Sequence, residues 1–398
     1  MNRDDFEILK KDIIYFDNSA TSLKPKQVLD KMMEYYNEYC SNIHRGDYKI
    51  AMKAEEEYNS VREKLKKFIG AEKDSEIVFT SGATDSLNKI VFGFMKYNLK
   101  QGDEVILSKS EHASNILPWM ALENMIGIKV KYVPLDKDYH VTIENLEKTI
   151  TPQTKVISLA HITNVLGDVR DVKKIGELCK KHNLYFVVDA AQSLGHKKID
   201  VKGANISFLA ASAHKMLGPT GVGLLYGKYE LLDKLVPVEF GGGMNSIFTA
   251  DGELELKALP ERLEAGTPNV GDVIGFGRAI DYLEDVGMEN IYKHELELKK
   301  YFLDKIKDNQ KIEIYNEQEE SGIITFNIKG VFSQDTAVFL DHYGICVRAG
   351  NHCAKILKDE LNVNNTCRIS FYLYNTLEEV DKLVEVLSKT DEIFKVVI

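Results

Sequence analysis

Between residues 77 and 226 short apolar runs alternate with longer stretches of mixed character. Seven runs, at 77–79, 104–107, 129–133, 156–160, 185–189, 206–210 and 222–226, are rich in consecutive apolar residues. Such short runs read as strands buried on both faces. Between several of them, at 85–95, 115–125 and 172–182, apolar residues recur at helical spacing. The alternation predicts an α/β fold: a mainly parallel seven-stranded sheet flanked by helices. Ligands of such sheets sit beyond the carboxyl ends of the strands, so chemistry is expected just after each run.

After about Gly271 the texture changes. Helical stretches at 273–284, 291–308, 333–343 and 377–389 mix with short strands at 323–328, 345–348 and 368–371. This reads as a smaller α+β lobe. A chain of 398 residues also exceeds the roughly 250–300 at which a single core stops growing. The expected division is a large lobe over 18–272 and a small one over 273–398, with 1–17 packing on the second. No repeat, low-complexity tract or Pro- or Ser-rich linker interrupts the chain.

Composition narrows the partners. Hydrophobic residues make up 44% and charged residues 28%, ordinary for a globular protein. The net charge of −10 argues against nucleic acid, which is held by clustered Lys and Arg. No apolar run is long enough to span a bilayer. The polar, acidic start (MNRDDFEILKKD) is unlike a secretory or transit leader, so a cytoplasmic protein is expected. The five cysteines, Cys40, Cys179, Cys346, Cys353 and Cys367, include no CxxC pair, which fits a reducing compartment rather than a disulfide framework. Cys346, Cys353, Cys367 and His352 show no standard zinc spacing, and no metal site is expected.

Candidate chemistry lies at the strand ends. Ser212-Ala213-His214-Lys215 follows the run 206–210 and precedes Gly218-Pro219-Thr220-Gly221. A lysine confined there loses its charge more readily and becomes a Schiff-base nucleophile, although a turn lysine at the surface has the same local sequence. Asp189 ends an apolar, β-branched run. An acid there calls for a cation, and a protonated pyridine nitrogen is one; a helix cap or structural ion pair is another use. Thr80-Ser81-Gly82-Ala83-Thr84-Asp85 opens a helix with small and hydroxyl residues, suited to a phosphate as well as to an ordinary cap. His112 and Asn164 follow two further strands, where an imidazole can stack on an aromatic ring, shuttle protons in a catalytic role, or simply serve the fold. Several strand ends thus each deliver a group suited to holding a phosphorylated pyridine aldehyde.

With these residues in view, the chain resembles the SufS/CsdA-like (group II) cysteine desulfurases, fold-type I pyridoxal-phosphate (PLP) enzymes of the class V aminotransferase family. The resemblance runs from Tyr15-Phe16-Asp17-Asn18-Ser19-Ala20 to Tyr374-Asn375-Thr376. It includes Asn42-Ile43-His44-Arg45-Gly46, Glu111-His112-Ala113-Ser114-Asn115, the segments 161–167 and 212–223, and Phe240-Gly241-Gly242-Gly243-Met244. It also includes Glu264-Ala265-Gly266-Thr267-Pro268-Asn269, Arg348-Ala349-Gly350-Asn351-His352-Cys353-Ala354 and Cys367-Arg368. The Arg-x-Gly-x-His-Cys-Ala element separates desulfurases from the family's aminotransferases.

The resemblance implies roles. Lys215 would be the Schiff-base lysine, Asp189 the partner of the pyridinium nitrogen, Gln192 of the phenolic oxygen, and His112 would stack on the ring. Thr84, Ser212 and His214 would hold the phosphate, and Thr267 would reach the phosphate in a neighbouring subunit, implying a homodimer with composite sites. Arg368 would bind the substrate carboxylate; Asn164 and His44 would line the pocket, with Arg348 near Cys353. Cys353 would take sulfur from L-cysteine as a persulfide, its thiolate favoured by His352 and Arg348. The short segment between Cys353 and Cys367 resembles group II, whose persulfide passes to a SufE- or SufU-type acceptor, with iron–sulfur cluster assembly as the expected destination. Asn351, Ala213 and Lys355-Ile356-Leu357 depart from the usual pattern around these motifs. Alternative activities on the same residues are a selenocysteine lyase or cysteine-sulfinate desulfinase, or else an aminotransferase or kynureninase that would leave Cys353 idle. A catalytically inactive Fe–S assembly scaffold is the non-enzymatic alternative.

Overall fold

The computed structural model describes residues 2–44 and 46–393; Arg45 of the Asn42–Gly46 motif lies outside them. All seven apolar runs form strands: β1 (Ile77–Thr80), β2 (Glu104–Ser108), β3 (Lys129–Val133), β4 (Thr154–Ala160), β5 (Tyr185–Asp189), β6 (Phe208–Ser212) and β7 (Gly223–Gly227). They form one sheet in the order β1-β7-β6-β5-β4-β2-β3. β2 to β6 are parallel, and β7 runs antiparallel to both β6 and β1.

The unbroken apolar runs have a direct explanation. Val187, Phe208 and Ala210 join the apolar cluster on one face of the sheet, while Val188, Leu209 and Ala211 join the cluster on the other. With both faces covered, neither set of alternate positions can be polar.

A second sheet is antiparallel, with Ile312–Ile314, Ile323–Ile328, Thr366–Ser370 and Arg348–Gly350 in that spatial order. Helices Met288–Ile306, Ser333–His342 and Leu377–Ser388 contribute to its own apolar cluster, which holds Phe302, Phe339 and Leu383. The N-terminal segment joins this lobe: Ile14–Tyr15 pairs with Ile345–Cys346, and Asp17 bridges to Ser370. The run at 345–348 is therefore divided, with Ile345–Cys346 serving the N-terminal segment and Arg348 the four-stranded sheet.

Helix Val270–Val286 packs on helices Lys26–Glu38 and Lys49–Ile69 in the core of the large sheet. The approach is close: a Cβ on Gly275 would meet Met32 Cγ at 2.5 Å. Residues on both sides of position 272 in this helix thus share the core of the large sheet. Among the described residues no helix is long and apolar enough to cross a membrane.

Candidate active site

The carboxyl ends of β1, β4, β5 and β6 and the start of β7 meet at one edge of the large sheet. The register sets Ala160 beside Asp189, Asp189 beside Ala210, and Ser212 and Thr80 on either side of Gly223. A cavity of about 230 Å³ opens there. It is lined by Thr84, His112, Asn164, Asp189, Gln192, Ser212, His214, Lys215, Arg348, Cys353 and Arg368, and also by Ser19, Ala20, Ser114 and His352.

Lys215 ends the single turn Ala213–Lys215 that follows β6. Burial pushes its ammonium down to about 8, with Asp189 opposing the shift and Arg368 and Arg348 adding to it. Asp189 is 5% exposed, and burial pushes its carboxyl up to about 6. One carboxylate oxygen accepts from the Ala191 N–H at 3.0 Å; among the described residues no donor reaches the other.

His112 has its tautomer set by its own turn. Its Nδ1 accepts the Ser114 N–H at 3.1 Å, so the proton of the neutral ring sits on Nε2. Burial pushes the ring down to about 4, so it is neutral near pH 7. Thr84 Oγ1 meets Ser114 Oγ at 2.7 Å. Ser212 Oγ accepts from the Ala83 N–H at 2.8 Å, which leaves its own proton to donate into the cavity. This contact needs β7 close behind: a Cβ on Gly223 would lie 2.4 Å from Gly82 Cα. His214 is also held neutral, pushed down to about 4 by burial.

The opposite wall comes from the small lobe. Arg368 is 2% exposed and donates to the Asn164 carbonyl at 2.7 Å and to Asp17 Oδ1 at 3.2 Å. Its Nε has no partner among the described residues. Arg348 is exposed and pairs with no acid among those residues. Cys353 is exposed on a tight loop in which His352 (φ +50°) and Cys353 (φ +57°) both take the left-handed conformation. Two bonds pin that loop: Asn164 Nδ2 to the His352 carbonyl at 2.6 Å, and the Ala113 N–H to the Cys353 carbonyl at 2.8 Å.

Comparison with known proteins places the chain as a whole. Residues 14–383 match the model of the class-V aminotransferase family. A probable cysteine desulfurase of Halalkalibacterium halodurans is 44% identical over 390 residues, covering 98% of this chain and 96% of its own. This chain belongs to the class-V aminotransferase family. Within it the chain groups with the cysteine desulfurases. The apo structure of a cysteine desulfurase from Thermococcus onnurineus NA1 superposes with a TM-score of 0.94 at 38% identity, covering 97% of this chain and 96% of that one. The cysteine desulfurase CsdA from Escherichia coli, in an S-sulfonic acid form, superposes with a TM-score of 0.93 at 34% identity, covering 98% of both chains.

In this class-V family member eleven of the thirteen residues expected at the site line the cavity, and His44 and Thr267 do not. His44, expected in the substrate pocket, turns away because its Nδ1 meets Glu55 Oε1 at 3.0 Å. Thr267 is exposed on a loop. His352, expected to favour a thiolate at Cys353, is buried and pushed down to about 3, so it carries no charge near pH 7. Its Nε2 instead lies 3.1 Å from both the carbonyl and Oγ1 of Thr366.

Residue-by-residue reading overlooked Asp17, Ser19 and Ser114. All three lie in stretches quoted for the resemblance, which was the one available signal. It also overlooked a buried ion pair beneath His112. Arg170 meets Glu111, and Glu111 Oε2 accepts the Ala160 N–H at 2.7 Å.

Proposed function

We propose that this protein is a PLP-dependent cysteine desulfurase that converts L-cysteine to L-alanine and holds the sulfur as a persulfide on Cys353. The observation that carries the reading is that Lys215 and Cys353 line one cavity, with Asp189 at its floor and Arg368 at its wall.

The residues present fit PLP. The free oxygen of buried Asp189 is a ready acceptor for a pyridinium N–H. Lys215, readily neutralised, is placed to hold the aldehyde carbon. Thr84, Ser212 and His214, all lining the cavity, would hold the phosphate of PLP, and the neutral ring of His112 would stack on the cofactor. The cofactor, when bound, supplies an electron sink that stabilises negative charge at the substrate Cα.

This chain's residues do the rest. Arg368 binds the substrate α-carboxylate, and exposed Arg348 brings a second guanidinium to the mouth. Asn164 and Gln192 orient bound groups. Lys215 Nζ takes the Cα proton and later returns it. Asp189, with one oxygen free, would hold the protonated ring nitrogen of the bound cofactor. Cys353 Sγ, as thiolate, attacks the substrate sulfur: an S–S bond forms, the C–S bond breaks, and its electron pair stays with Cβ, which takes up a proton as alanine forms. No external oxidant is needed, because reduction of the carbon balances oxidation of the sulfur.

The proposal extends to assembly. Thr267 is exposed outside its own cavity, which supports a homodimer in which it completes the partner's phosphate site. Exposed Cys353 supports transfer of the persulfide to a SufE- or SufU-type acceptor for iron–sulfur cluster assembly, in a reducing cytoplasm. Domain division is part of the same reading: a cofactor lobe that includes helix Val270–Val286, and a smaller lobe carrying Arg348, Cys353 and Arg368.

The test is turnover of cysteine by PLP-loaded protein and by its Cys353→Ser variant, with alanine measured and persulfide trapped. Alanine and persulfide that both depend on Cys353 support the reading. Cysteine left intact, while both proteins consume selenocysteine or cysteine sulfinate, overturns it.

A further inference from the structure

Four donors converge on the main-chain carbonyl of His214, the residue before Lys215. They are the Ser22 N–H at 2.9 Å, Thr21 Oγ1 at 3.0 Å, Ser22 Oγ at 3.1 Å and Lys24 Nζ at 3.0 Å. A carbonyl oxygen has two lone pairs, so such crowding is far beyond ordinary satisfaction. Ser22, 2% exposed, does more: while donating to His214 it accepts the Leu217 N–H at 2.8 Å. One hydroxyl therefore grips the chain on both sides of Lys215. Leu217 sits at φ +66°, a conformation that a non-glycine residue keeps only when its surroundings impose it.

Lys24 is the second unusual part. Its ammonium is bonded to Thr21 Oγ1 and to the carbonyls of Ser22 and His214, with no carboxylate within ion-pair distance among the described residues. A partly buried cation held only by neutral oxygens is costly to keep, and local stability alone gives no reason for it. The clamp is also anchored away from the cavity. The Leu23 N–H donates to Tyr374 Oη at 2.9 Å, so the segment that grips the Lys215 turn is tied to the small lobe.

We propose that Ser22 and Lys24 are positioning residues for Lys215: they fix the backbone on both sides of it, and so set the line along which Nζ reaches the substrate Cα. Neither side chain lines the cavity, so both act through the turn. The inference rests on the reading of Lys215 as the group that moves the α-proton. Proton transfer is steep in distance and angle, and a misplacement of about 1 Å can cost about a hundredfold.

The test uses the PLP-loaded enzyme with cysteine and with α-deuterated cysteine, comparing parent, Ser22→Ala, Lys24→Met and Lys215→Ala. The expected result for Ser22→Ala and Lys24→Met is a kcat lowered about tenfold or more, with KM within about twofold and the cofactor still bound. The deuterium isotope effect on kcat should grow, because proton transfer by Lys215 then limits the rate more strongly. Loss of packing alone would not enlarge that effect. Ser22→Thr, which keeps the hydroxyl, should recover most of the rate, and Lys24→Gln replaces Lys24→Met if the latter does not fold. Parent-like kcat and isotope effect in the Ser22 and Lys24 variants, with Lys215→Ala inactive, would overturn the clamp alone. Proton transfer that survives in Lys215→Ala would overturn the reading on which the clamp rests.

Discussion

The side-chain amide of Asn164 donates to the main-chain carbonyl of His352, 2.6 Å away. Asn164 follows β4 in the large lobe, while His352 belongs to the loop of the small lobe that presents Cys353. The bond therefore spans the cavity wall and holds two consecutive left-handed residues, each costing on the order of 1–3 kcal/mol in that conformation. Asn164→Ala should let the loop relax. The expected outcome is about a tenfold loss of alanine formation and a matching loss of trapped persulfide, with cofactor binding retained. Unchanged persulfide yield would show that the loop holds itself.

A second expectation concerns Lys215 before the cofactor arrives. Burial is the main cause that brings its ammonium down to about 8. The neutral amine is the nucleophile, so capture of the PLP aldehyde by cofactor-free protein should quicken as pH rises through about 8 and level off above it. Stopped-flow absorbance across pH reads this directly. A rate still climbing steeply toward the ordinary lysine value of 10.5 would contradict the environment described here.

Much of this site was legible in the sequence for a physical reason. Strands covered on both faces must be apolar throughout, so their ends stand out, and Asp189, Ser212 and Lys215 were found there. Contacts between distant segments leave no such trace. Asp17 meets Arg368 across 351 positions, and only the folded chain brings them together. The Arg170–Glu111 pair reads in sequence as two ordinary surface charges, yet their side chains are 1% and 0% exposed. Residue type does not say which way a ring turns: His44 Nδ1 meets Glu55 Oε1, and His44 does not line the cavity. The amphipathic pattern of helix Val270–Val286 does not name the surface it covers, which is the core shared with the large sheet.

Acid should weaken the fold through buried neutral histidines. Burial pushes His161 and His352 down to about 3, and His112 and His214 down to about 4, from an ordinary 6.5. As pH falls below about 6.5 the unfolded chain binds protons that the folded chain refuses. Their contribution is therefore complete above about 6.5 and is lost progressively down to about 3–4, at up to roughly 1.4 kcal/mol per pH unit for each of the deeply buried rings His161 and His352, and at less for His112 and His214, which solvent screens. Urea midpoints between pH 7 and pH 4.5 should fall accordingly, and His161→Asn should flatten the slope. A slope unaltered by that substitution would remove His161 from the account.

The ion pair beneath His112 carries the last expectation. Arg170 donates to the Ala160 carbonyl at 3.1 Å, to Ser110 Oγ at 2.8 Å and to Asp168 Oδ2 at 3.1 Å, besides its contact with Glu111. Glu111 in turn holds the Ala160 N–H at 2.7 Å and Asn115 Nδ2 at 2.8 Å. The pair thus grips both polar groups of the residue that ends β4. Arg170→Met strands two buried carboxylates, Glu111 and Asp168, and breaking such a buried pair costs about 3–5 kcal/mol. Arg170→Met combined with Glu111→Gln removes one of the two stranded charges and should cost clearly less than Arg170→Met alone, which chemical unfolding of the parent and both variants measures. If Arg170→Met unfolds within about 1 kcal/mol of the parent, then water reaches this site, or the neighbours relax enough to solvate the Glu111 carboxylate.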